Sequence, residues 1–84
     1  MRPYSIYINE AALSSAPRSG PQRERLMRFI RSLAENQNTP GDFSEKDGMN
    51  RTVQVKIIGS YAVTYWADHA VSEVKVTHIK SADQ

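Results

Sequence analysis

Two histidines, His69 and His78, are the side chains of this chain that exchange a proton near neutral pH, and both lie close to its C-terminal end. Lys56 can stabilise developing negative charge and His78 can take or return a proton. That makes Lys56 and His78 the candidates for acid–base chemistry. Trp66 stands between Lys56 and Lys75 on neighbouring strand patterns, an indole with cations beside it. With Arg51, Gln54 and Lys80 it forms the candidate surface for binding RNA or a partner protein. The chain has no cysteine, which removes thiolate chemistry and disulfides. Asp68, His69 and His78 lack the paired spacing of a metal site, so neither metal nor cofactor is expected. No glycine-rich phosphate loop, nucleophile elbow or carboxylate pair is present.

The elements that must hold these residues are strands. Residues 51–58, 61–67 and 71–79 read as three strands separated by Gly59-Ser60 and by Asp68-His69-Ala70. The near-clean alternation of the first two predicts a sheet buried on one side. The reading assigns Val53, Val55, Ile57, Tyr61, Val63 and Tyr65 to the buried side, and Gln54, Lys56, Ala62, Thr64 and Trp66 to the open one. In the last strand Val74 and Val76 fit one face, but Val71 and Ile79 fall on the opposite parity; a bulge or a change of exposure near its ends would reconcile them. His78 shares the parity of the two valines, which suits a partly buried histidine. Trp66 has two readings: an open-face ring that stacks a base or anchors a partner, or a ring covered by the loop from Asn38 to Met49 together with Phe43.

Upstream, residues 4–8 alternate as a strand, and Asn9 can cap a short helix over residues 10–16 that Pro17 ends. Ser19-Gly20-Pro21-Gln22 reads as a second helix start with a capping box. Leu26, Phe29, Ile30 and Leu33 then recur at the spacing of one buried stripe. Residues 36–41 stop this helix, and a loop is expected to about Met49. Ile6, Ile8 and Leu13 complete the expected core. Arg18, Arg23, Arg25, Arg28 and Arg31 face a single acid, Glu24, within the helical stretch, and the following loop carries Asp42, Glu45 and Asp47. Such a polarised surface steers a charged partner.

With 84 residues, 39% of them hydrophobic, the chain builds one domain, residues 1–84, around one modest core. No apolar run reaches the length of a membrane span, and Met1-Arg2-Pro3-Tyr4 does not open a signal peptide. No membrane association is expected, and a cytoplasmic location is. The order β-α-α-β-β-β predicts an α+β domain with a helical hairpin on one face of a small antiparallel sheet.

This order, with Gly59-Ser60-Tyr61-Ala62-Val63-Thr64-Tyr65-Trp66 before a valine-rich last strand, resembles the RelE/ParE family of bacterial type II toxins, also known from plasmid stabilisation. The resemblance runs from the first strand to Ile79. It implies a cytoplasmic protein held by a small antitoxin, with Arg25, Arg28 and Arg31 as the antitoxin contact. It further implies one of two targets: mRNA cut in the ribosome, or DNA gyrase. The ribonuclease members place a catalytic arginine directly after the tyrosine that opens the third strand, where this chain has Ala62. They usually carry two basic residues on the second strand, for which only Lys56 fits, with Gln54 at the other position. Their basic tail is reduced here to His78 and Lys80. The alternative to a toxin is a non-toxic binding module of the same fold.

Overall fold

The computed structural model describes residues 2–82. In chain order it contains β1 (Ser5–Ile8), α1 (Glu10–Ser15), α2 (Gly20–Ser32), β2 (Phe43–Lys46), β3 (Thr52–Ile58), β4 (Tyr61–Asp68) and β5 (Glu73–Ser81). The strands form one sheet in the order β1-β5-β4-β3-β2, with β1 parallel to β5 and every other pair antiparallel. The expected α+β architecture holds, with two differences. The sheet is mixed rather than antiparallel, because alternation fixes that β1 is a strand but not its direction. The segment read as loop contains β2, whose four residues are all exposed and show no alternation; pairing with β3 makes it a strand.

Local chemistry sets the helix starts. The Asn9 side chain accepts from the Ala11 and Ala12 amides at 2.8 and 3.3 Å, capping α1. Ser19 occupies the cap position of α2, but its hydroxyl makes no capping bond and no capping box forms. Gln22 Nε2 instead donates to the Ile58 carbonyl at 2.9 Å, tying α2 to the end of β3. The β3–β4 turn lies so close that a side chain on Gly59, which also sits at φ 62°, would collide with Gln22 and Arg25.

The helical layer packs Leu26 and Ile30 of α2 and Leu33 at its C-cap, with Ala12 and Ala16, against Val63, Tyr65, Val74, Val76 and Ile79. Phe29 meets Tyr65 edge to face at 5.6 Å, and Ile6, Ile8 and Tyr61 close the margin half-buried. Leu13, expected in the core, is 40% exposed, because α1 and its C-cap turn the small residues Ala12 and Ala16 inward.

The strand register changes the assignment of faces. Ile58 opposes Tyr61, Ile57 opposes Ala62, Lys56 opposes Val63, Val55 opposes Thr64 and Gln54 opposes Tyr65. Directly opposed residues share a face. Gln54 and Lys56 therefore lie on the helical side with Val63 and Tyr65. Val53, Val55 and Ile57 lie on the far side with Ala62, Thr64 and Trp66, the reverse of the sequence expectation. Polar residues are accommodated on the helical side of β3 because a loop, rather than a helix, covers it. Gln54 Oε1 accepts from the Gly41 amide at 2.9 Å, and the Tyr65 hydroxyl donates to the Thr39 carbonyl at 3.0 Å.

The bulge foreseen in β5 is present. Thr64 opposes His78 but Tyr65 opposes Val76, leaving Thr77 as the extra residue. The parity flip sends Ile79 into the core at 1% exposure and turns His78 to the far face, exposed rather than half-buried. Val71 belongs to the turn before β5 and is exposed.

Candidate binding face

The far face has an apolar floor: Val53, Val55, Ala62 and Thr64 are all under 9% exposed although no helix lies over them. Around it the register arranges cross-strand rows. Phe43, Val55, Thr64 and His78 form one row, and Ile57, Ala62 and Lys80 another. Trp66, Lys75 and Tyr7 line up beside them. Phe43, Tyr7 and Ile57 are 51%, 53% and 38% exposed, so the rim offers apolar surface while the floor is closed.

Trp66 is half-buried within a charged frame. The Arg51 guanidinium stacks over its ring at 4.2 Å from the centroid, and Lys75 Nζ lies at 5.4 Å. An arginine over tryptophan contributes about 0.5–1 kcal/mol at an exposed site. Both cations are anchored. Asp47 accepts from Arg51 Nε at 2.9 Å and from the Met49 and Arg51 amides at 2.9 Å each, which closes the β2–β3 turn and aims Arg51. Asp68 accepts from Lys75 Nζ at 2.9 Å, with Glu73 at 3.8 Å. The hydrogen bonds from Arg51 hold the Asp47 carboxyl below its usual range, and the bond from Lys75 does the same for Asp68. Lys75 is raised in turn by the Asp68 carboxylate. The Trp66 ring is therefore already stacked on one cation, and Phe43, paired in β2, does not fold over it as a loop would. Trp66 Nε1 is buried without a hydrogen-bond partner, the one such side-chain atom among the described residues. An unmade buried bond costs on the order of 1–3 kcal/mol.

The expected site residues thus separate. Arg51, Trp66, Lys75, His78 and Lys80 gather on the far face, with Lys80 opposite Ala62 and His78 opposite Thr64. Gln54 and Lys56 do not join them. Lys56 Nζ reaches Asp42 at 3.6 Å, and Asp42 also accepts from the Ile57 amide at 2.7 Å, which lowers its pKa. Arg25, Arg28 and Arg31 are exposed on α2, away from the far face; Arg25 packs by the Gly59 turn. Asp47 and Asp68 fix the two cations; in the sequence Asp47 stands out as part of an acidic loop and Asp68 as a turn residue without metal-site spacing, and neither is marked there as an anchor. The second-strand positions at which the resemblance implies basic residues are Gln54 and Lys56, and the register puts both on the helical side; Val53 and Val55 are the β3 residues on the face of Ala62.

The fold defines a RelE-like α+β domain. No family model matches the sequence, and no curated protein matches it. Among solved structures, the chain is similar to one in the crystal structure of the archaeal RelE–RelB complex from Pyrococcus horikoshii OT3. The TM-score is 0.75 at 13% identity, over 96% of this chain and 97% of that one. At that identity the likeness is one of fold.

Proposed function

We propose that this chain is the toxin-type component of a type II toxin–antitoxin pair, neutralised by a small antitoxin in the bacterial cytoplasm. The observation that carries the reading is the fold shared over nearly the full length with a chain solved in a RelE–RelB complex. The exposed Arg25, Arg28 and Arg31 of α2 suit an acidic antitoxin segment that orders on docking. Of the two targets implied by the resemblance, DNA gyrase is favoured over mRNA. A cleavage site needs cations on the scissile phosphate; Ala62 stands where the resemblance implies the catalytic arginine, and Lys56 lies on the other side of the sheet, although Arg51, Lys75 and Lys80 border the face.

A second reading, residual mRNA cleavage, draws on Lys80 and His78, which stand one strand away from Ala62 and Thr64. Induced expression separates these readings. Growth arrest relieved by co-expression of an adjacent small open reading frame, with stalled supercoiling by purified gyrase, is the expected result. Codon-internal mRNA cuts would move the target to the ribosome. Harmless expression with retained partner binding would replace the toxin reading by the non-toxic binding module.

A further inference from the structure

β1 ends at Ile8, opposite Val76, and the chain turns off into α1, so β5 runs on from Thr77 to Ser81 beyond the end of β1. Between α1 and this overhang lies a cleft of about 380 Å³, within the roughly 300–1,000 Å³ of small-molecule sites. Ala11 forms a wall over a floor of Ala12 and Ile79, while Asn9, His78 and Lys80 supply polar groups. No acidic residue lines it. Of the chain's four lysines, Lys46 is bonded to the Thr52 hydroxyl, Lys56 lies by Asp42, and Lys75 by Asp68 and Glu73. Lys80 is exposed and makes no hydrogen bond or ion pair among the described residues. Asn9 commits its side-chain oxygen to the Ala11 and Ala12 amides, which occupies those two amides and leaves Nδ2 to donate. His78 meets Thr77 Oγ1 through Nδ1 at 3.1 Å, and its Nε2 has no partner among the described residues. The free capacity is therefore one full positive charge and an amide donor beside a small apolar wall. That combination suits a monoanion with a short aliphatic body, its oxygens on the donors and its carbons on Ala11.

We propose that this cleft binds a carboxylate, carried by a small aliphatic acid or by the C-terminus of a peptide. Its one lysine matches the single charge of a carboxylate better than the charge of about −1.5 to −2 on a phosphate group. The inference is independent of the toxin reading and stands or falls without it.

Proton–nitrogen correlation NMR of the full chain follows the Asn9 side-chain amide and the backbone amides of residues 77–80. The protein is titrated with the sodium salts of acetate, butyrate, phosphate and chloride at matched ionic strength. Saturable shifts with butyrate, weaker binding of acetate and no saturable response to chloride are expected. A short peptide with a free C-terminus is then compared with its C-terminal amide. Binding of the peptide acid tighter than butyrate, and lost in the amide, identifies a chain terminus as the source; tighter butyrate identifies a free acid. Lys80→Gln should weaken butyrate binding about tenfold. Ala11→Leu, which fills the cleft from the exposed side of α1 and leaves the charge in place, should weaken it at least as much. Unchanged affinity in either variant, tighter binding of phosphate than of butyrate, or a chloride response equal to that of butyrate would overturn the proposal.

Discussion

The two faces of the sheet are both apolar at their centres, yet they reach burial by different routes. Under the helices, Val63, Val74 and Val76 are closed at 0% exposure by side chains from a second layer, led by Leu26 and Leu33. On the far face, Val53 and Val55 are nearly as closed, at 2% and 4%, with no layer above them. Their cover comes from the same sheet: Phe43 and Thr64 beside Val55, and the framed Trp66 on the neighbouring strand. The first face is a core in the ordinary sense. The second is a floor with an exposed rim, formed by Phe43, Tyr7 and Ile57. The comparison also explains why the charges sit where they do. Arg51 and Lys75 reach the rim because Asp47 and Asp68 anchor them there, whereas Lys56, on the other parity, is drawn to Asp42 beside the covering loop.

Truncation should separate the two faces most sharply. Leu26→Ala opens a cavity where both layers meet and should cost about 2–5 kcal/mol, read from urea unfolding. Val55→Ala removes a floor residue whose surroundings can collapse sideways, and about 1–2 kcal/mol is expected in the same assay. Equal losses at the two sites would mean that the far face is as rigidly packed as the helical one.

Smaller effects probe the polar fixtures of each face. Burial, reinforced by the Asp42 charge, pushes the Tyr65 phenol up to about 12. A folded value above the ordinary one of about 10 means that the neutral phenol stabilises the fold fully below about pH 10. That contribution is lost as the pH rises through the folded value. Tyr65→Phe should remove this alkaline limb and cost about 1 kcal/mol at neutral pH, through the bond to Thr39. Asp47 and Asp68 have the opposite sign: their pKa values are lowered, so their contribution is present above the ordinary carboxylate range and fades as acid protonates them. Acid titration followed by tryptophan fluorescence should show the frame around Trp66 loosening first, and Asp47→Asn should abolish part of that change. Smallest of all, Arg51→Ala should cost only about 0.5–1 kcal/mol in stability while red-shifting the Trp66 emission.

Much of the helical face was legible in the sequence. Leu26, Ile30 and Leu33 repeat at helical spacing, and Asn9 announces its cap in a single residue. The odd parity of Ile79 pointed to the bulge that Thr77 supplies. The far face was misread because alternation gives parity within a strand but not the offset between strands. The missing signal was the length of the Gly59-Ser60 turn. A two-residue hairpin sets Ile58 against Tyr61 and therefore Val55 against Thr64, which puts Gln54 and Lys56 opposite the core residues Tyr65 and Val63. β2 was hidden for a different reason, since Phe43, Ser44, Glu45 and Lys46 carry no burial pattern and depend on β3 for their shape. The frame around Trp66 was half visible: its cations were marked, but their aspartates lie in turns whose role is conformational as much as electrostatic.

The proposed reading is that the face around Ala62, which lacks the arginine of the ribonuclease members and from which Lys56 is turned away, binds rather than cuts. The most direct test adds the purified protein to a translating ribosome reaction and maps the mRNA ends. Full-length message at protein concentrations matching the ribosomes is the predicted result. Codon-internal cuts that disappear in the Lys80→Ala/His78→Ala double variant would contradict it.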